Sequence, residues 1–61
     1  MTNKNLILTR KKSERVVVHV QGKKICTITI TDISQRACKL GFEADKSVRI
    51  DREEVYLERE I

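Results

Sequence analysis

RVVVHVQGKKICTITIT, residues Arg15–Thr31, reads as two β-strands folded back on each other. In the first half Val16, Val18 and Val20 share one face, with Val17 and His19 on the other, the period of two that a strand imposes. Gly22 with Lys23 breaks the run as a hairpin turn. In the second half Cys26, Ile28 and Ile30 oppose Thr27, Thr29 and Thr31. Threonine is a good strand former and suits the solvent side. Upstream, Leu6–Thr9 is a short apolar strand leading into the basic cluster Arg10-Lys11-Lys12-Ser13. Downstream, Asp32-Ile33-Ser34-Gln35 supplies a turn. Arg36–Phe42 then directs Cys38, Leu40 and Phe42 inward and Lys39 outward. Gly41 on the outer face marks a bulge or a close backbone approach. Ser47–Ile50 is the last strand, with Val48 and Ile50 opposite Arg49.

Beyond Ile50 the period changes. Asp51 is a good N-cap, and Glu54 three residues on can reach back to it. Ile50 and Val55 make a hydrophobic staple, and Glu53 and Glu54 suit the positive end of a helix dipole. The helix is expected from about Arg52 to the chain end, with Val55, Tyr56, Leu57 and Ile61 as its apolar residues. The fold class is therefore mainly β with a short C-terminal α-helix, five strands in a single domain spanning residues 1–61.

Five strands and a helix in 61 residues leave little core. A chain of this size buries roughly 60% of its unfolded surface and usually needs a disulfide, a metal or a second copy. Cys26 and Cys38 are not in a close pair, and His19 is the only histidine, so a four-ligand zinc site is one ligand short. Both cysteines sit in alternating apolar segments, where a free thiol packs as a small hydrophobe. A disulfide and a metal are the lesser readings. Two copies that pair or exchange strands would close the open edges and double the core.

A hydrophobic content of 39%, ordered in period, is too apolar for a disordered chain. No apolar run approaches the roughly 18 residues of a membrane span, and Met1–Asn5 leads into a strand-like segment rather than a signal peptide. Membrane proteins, secreted disulfide scaffolds and multidomain enzymes are thereby excluded. The net charge is +4, unevenly placed. Residues 1–24 hold seven Lys and Arg against Glu14 alone, whereas residues 25–61 hold six against eight acids. A basic end of this kind points to a polyanion, nucleic acid before anionic membrane; a solvated lysine-rich strand face is the plainer alternative.

Catalysis has little support. There is no Ser-His-Asp set, no Gly-rich phosphate loop, and no carboxylate pair beyond Glu53 and Glu54, which the helix start explains. No enzyme activity, cofactor or metal is expected. Arg52 breaks a local rule, because a cation in the first helical turn opposes the dipole. Either Asp51 or Glu53 neutralises it, or its planar fork is aimed at a phosphate or a guanine edge. Phe42 and Tyr56 are the only aromatics, too few for a base-stacking platform. Base recognition would then rest on strand-edge backbone groups together with Arg and Lys.

Leu6-Ile7-Leu8-Thr9-Arg10-Lys11 with Glu14 resembles the N-terminal signature of the carbon storage regulator (CsrA/RsmA) family. Lys39–Val48 and Ile50-Asp51-Arg52-Glu53-Glu54-Val55-Tyr56 resemble its C-terminal signature, in the right order and at the right distance. The resemblance covers nearly the whole chain and is weakest across Val16–Ile25. It implies an intertwined homodimer of five-stranded subunits, in which first strands pair with last strands of the other copy. It also implies a cytoplasmic post-transcriptional regulator that binds GGA-containing loops in messenger leaders and represses translation or alters message stability. By position, the RNA contacts it implies are Leu8, Arg10 and Lys11 with Val48, Ile50 and Arg52; Leu8, Val48 and Ile50 read equally well as interface core. Its implied partners are mRNA, a second copy, and a small regulatory RNA or a protein antagonist, with no membrane.

Three departures carry physical weight. Ser13 stands where the family usually has Gly, so its turn must avoid a positive φ or be strained. Asp45 replaces a common Pro and should loosen the approach to the last strand. Asp51 replaces the usual His beside Arg52, which improves the cap but sets negative charge near RNA phosphates. Two other readings stand beside the first. One is a DNA-binding swapped-hairpin regulator similar to the AbrB-like dimers. The other is a protein-interaction module with little RNA affinity, which Asp51 favours.

Overall fold

A computed structural model describes residues 3–59 as a mainly β chain ending in a short helix. The strands are β1 (Asn3–Arg10), β2 (Arg15–Val20), β3 (Lys23–Thr29), β4 (Cys38–Asp45) and β5 (Arg49–Arg52), followed by α1 (Glu53–Arg59). All pairings are antiparallel: β1 pairs with β4 as a two-stranded ribbon, and β2 lies between β3 and β5 in a three-stranded sheet.

The valine run of β2 makes it the centre of the larger sheet. Val16 is 0% exposed and Val17 1%, so successive side chains, which point to opposite faces, are both covered. Ile30, Ile50 and Tyr56 complete the buried apolar set. Each valine buried this fully contributes about 1.5–3 kcal/mol. On one face the covering element is α1, whose Tyr56 ring meets the His19 ring edge-on at 4.9 Å.

The hairpin forms as expected, with its turn one residue earlier. Gln21 (φ 51°) and Gly22 (φ 78°) are the two loop residues between Val20 and Lys23. Positive φ at both positions is the type I′ geometry, whose twist matches that of the flanking strands. A bulge occurs in this hairpin and not at Gly41. Val18 pairs with Cys26 but His19 pairs with Lys24, so Ile25 is the extra residue and stands 59% exposed. Gly41 pairs regularly with Ile7, and an added Cβ there would meet nothing within 4 Å. The packing expected of Cys26 is also corrected: on edge strand β3, beside the bulge, it is an exposed free cysteine. Cys38 is half-buried, its Sγ 3.6 Å from the Arg10 carbonyl oxygen.

Around β5 the boundaries shift. Ser47 and Val48 belong to a turn instead of the strand, because Asp45 builds it. The Asp45 carbonyl accepts from the Val48 N–H (2.9 Å), and its Oδ1 accepts from the Ser47 N–H (3.0 Å) and hydroxyl (3.1 Å). The two bonds from Ser47 hold the Asp45 carboxyl below its usual pKa. Asp45 thus fixes the approach to β5 rather than loosening it. Asp51 is a strand residue and not the N-cap, and Arg52 ends β5 ahead of the helix. Glu53 and Glu54 occupy the first helical turn as expected. The continuation to the chain end, Ile61 included, lies outside the described residues.

The ribbon and the sheet share no ladder. Leu6 opposite Phe42 and Leu8 opposite Leu40 form an apolar ribbon face that is only half-buried. The chain is a slab of 36 × 29 × 15 Å with a radius of gyration of 12.1 Å. A compact chain of this length would have roughly 10.5 Å.

Candidate nucleic-acid interface

The basic cluster Arg10-Lys11-Lys12 sits where the ribbon turns into the sheet. Glu14 N–H donates to the Lys11 carbonyl at 3.0 Å, closing a turn whose third residue, Ser13, has φ 75°. Positive φ at that position alone is the type II pattern, which favours Gly. The strained alternative is therefore the one Ser13 adopts. The turn is held from both sides: Ser13 N–H donates to the Ile30 carbonyl (2.6 Å), and Ile30 N–H donates to the Glu14 carbonyl (3.1 Å). Glu14 Oε1 accepts from the Lys11 N–H at 2.7 Å and lies 3.6 Å from Arg10 Nε.

Arg10 is the buried member of the cluster, 4% exposed. Its Nε–H donates to the Thr9 carbonyl (3.1 Å), and Nη1 donates to the Arg15 carbonyl (2.9 Å) and Glu54 Oε1 (3.2 Å). Nη2 donates to Glu54 Oε2 at 2.9 Å. Five donors in a planar fork allow one arginine to satisfy this set. The hydrogen bonds from Arg10 hold the Glu54 carboxyl down to about 2.

Glu54 also draws in Arg52, whose Nε lies 4.0 Å from the same Oε2. Arg10, Lys11 and Arg52 are thus brought to one locality through Glu14 and Glu54. Lys11, Lys12 and Arg52 are its exposed cations, Arg52 at 49%. Of the apolar candidates, Leu8 is half-buried on the ribbon, Val48 is half-buried in the turn before β5, and Ile50 is buried opposite Val18 in the sheet. No ladder within the chain joins Leu8 to Ile50.

Asp51, the residue set to repel an anion, points the other way. It and Arg52 are consecutive in β5, so their side chains leave opposite faces. Its Oδ2 lies 2.8 Å from His19 Nε2. An ionised carboxylate can only accept, so Nε2 carries the donated proton.

Residues 6–60 match the sequence model of the CsrA global regulator protein family. The chain belongs to the CsrA family. It is 43% identical over 53 residues to the translational regulator CsrA of Thermotoga maritima, covering 87% of this chain and 59% of that one. It is 45% identical to that of Alkaliphilus metalliredigens, over 87% of this chain and 65% of the relative. The match to Clostridium kluyveri CsrA is 42% over 55 residues, or 90% and 70% of the two chains. The chain therefore spans about three fifths of the length of several curated CsrA relatives it matches. No solved structure matches it. The matched family is one of global regulators, and these relatives are translational regulators.

Within this CsrA-family chain, residue-by-residue reading missed two partners. Glu54 read as helix-start charge, and nothing local links it to Arg10 at a separation of 44 residues. The alternation of His19 with Val17 puts it on the right face but names no partner. Among the described residues no cluster of His, Cys, Asp and Glu could hold a metal, and no helix is long and apolar enough to cross a membrane.

Proposed function

We propose that the chain is a sequence-specific mRNA-binding regulator. It acts as an intertwined homodimer on GGA-containing loops in messenger leaders, in the cytoplasm, to repress translation or alter message stability. The observation that carries this reading is Arg52: a half-exposed guanidinium at the end of β5, a strand paired on one side only, within a cluster of cations in a CsrA-family chain. Lys11 and Arg52 supply exposed charge, and Arg10 fixes the turn and Glu54 behind them. Leu8, Val48 and Ile50 complete the candidate surface, where strand-edge backbone groups read the bases.

The open edges support the dimer. Among the described residues β1 and β5 each pair on one side only, and the Leu6, Leu8, Leu40 and Phe42 face stays half-buried. A two-stranded ribbon is marginal by itself. The accessible surface of 4839 Å² exceeds the roughly 4,080 Å² expected for a folded monomer of this mass, and the excess is near the roughly 800 Å² that one partner contributes to a standard interface. Laying β1 of one copy beside β5 of the other joins ribbon to sheet and brings Leu8 towards Val48 and Ile50.

A gel shift with a GGA-loop hairpin tests the reading. The native chain should bind it more tightly than a scrambled loop, and Arg52→Ala should weaken binding by about tenfold, the loss expected for one charge-assisted contact. Equal affinity for both loops at physiological salt would reduce the activity to polyanion binding. Stronger competition by duplex DNA would replace the RNA assignment.

A further inference from the structure

We propose that His19 is a positioning residue for RNA binding: it holds the Asp51 carboxylate on the helix-covered face of the sheet, so that β5 presents Arg52 to the RNA without the neighbouring negative charge. The proposal rests on the RNA-binding reading above and goes beyond it to a residue outside the candidate contacts. Three observations carry it. Consecutive residues of β5 leave opposite faces, so the side chain of Asp51 starts out directed away from that of Arg52. The carboxylate is then held by His19 Nε2 at 2.8 Å, with the two side chains only 12% and 16% exposed. Finally, the imidazole is itself wedged, its ring edge-on to Tyr56 at 4.9 Å, and the Tyr56 ring is capped by Lys24 Nζ at 5.6 Å.

The electrostatic consequence follows from range. A carboxylate adjacent in sequence to Arg52 acts on a phosphate that Arg52 grips through a field that decays with a Debye length of about 8 Å at physiological salt, so its orientation and distance set the repulsion. Turned towards the ligand through water it repels that phosphate. Turned into the sheet and hydrogen-bonded, it is separated from the phosphate by the strand and partly offset by its donor. His19 and Asp51 therefore act as a pair, and the effect of removing one depends on the other.

The experiment is a double-mutant cycle in hairpin affinity, with each variant's melting temperature and the salt dependence of its binding measured alongside. His19→Ala should weaken binding to the GGA hairpin about fivefold and make the fall of log K with log salt shallower. Asp51→Asn should stay within about threefold of the native chain, and His19→Ala/Asp51→Asn should return to that range. His19→Asn, which keeps a neutral donor, should bind nearly as the native chain does. A purely structural role for His19 predicts instead that the double variant stays as weak as His19→Ala, and that result would overturn the proposal. So would native affinity in His19→Ala, or a tenfold gain in Asp51→Asn, which remains decisive if His19→Ala does not fold. Native chain that binds the GGA hairpin no better than a scrambled loop would sink the function reading together with this one. Native binding with an unaffected His19→Ala sinks this one alone.

Discussion

Arg10 and Glu54, 44 residues apart, meet in a two-armed ion pair, Nη1 to Oε1 at 3.2 Å and Nη2 to Oε2 at 2.9 Å. The pair ties the end of the first strand to the first turn of the helix. Its asymmetry matters: the guanidinium is buried and the carboxylate is largely exposed. Most of what it contributes is relief of a buried charge, because solvent screens the exposed half.

Glu54→Gln should therefore destabilise the fold by about 1–2 kcal/mol. The Glu54 carboxyl is held near 2 in the fold against an ordinary value of 4.5. A depressed folded value means that the stabilisation is complete above about pH 4.5 and fades as pH falls towards 2. Thermal melts between pH 2 and 5 should show a shallower decline for Glu54→Gln than for the native chain. Parallel profiles would contradict the assignment.

Ser13 stores backbone strain. Its φ of 75° costs a side-chain-bearing residue about 1–2 kcal/mol, and the extra freedom of Gly in the unfolded chain returns part of that. Ser13→Gly should stabilise the protein by about 0.5–1 kcal/mol, measured as a shift in the urea midpoint at unchanged slope.

The two glycines should behave oppositely. Gly22→Ala forces a side chain to φ 78° and should cost about 1–2 kcal/mol, even though nothing lies within 4 Å of the new Cβ. Gly41→Ala also meets open space, without the positive φ, and should stay within about 0.5 kcal/mol of native stability. Chemical denaturation of both variants checks the pair.

Assembly predicts a concentration effect. If two copies share β1 and β5 edges, dilution should lower the melting temperature and shift the sedimentation profile towards monomer. A melting temperature constant over a hundredfold dilution would exclude an obligate dimer.

Much of this architecture was legible in the chain. Alternating valines and threonines identified the β2–β3 hairpin, and the change of period after Ile50 identified the helix. What failed was local detail governed by competition. Asp51 reads as a cap, but β5 runs on through it to Arg52, and its carboxylate meets a histidine 32 positions earlier. Gly41 looked like a bulge, but the register slipped at Ile25, where no residue type announced it. The candidate contacts Lys11 and Arg52 lie exposed as their charge implied. The burial of Arg10 could not be read, because it depends on Glu54 folding back from the far end of the chain.

The spare residue at Ile25 bears on how far such chains can associate. β3 is an outer strand, and an incoming chain would meet a bulged backbone just after Lys23 and Lys24. Cations and irregular spacing are poor templates for further hydrogen-bonded addition. The molecule thus carries its own guard against runaway fibre growth along that margin.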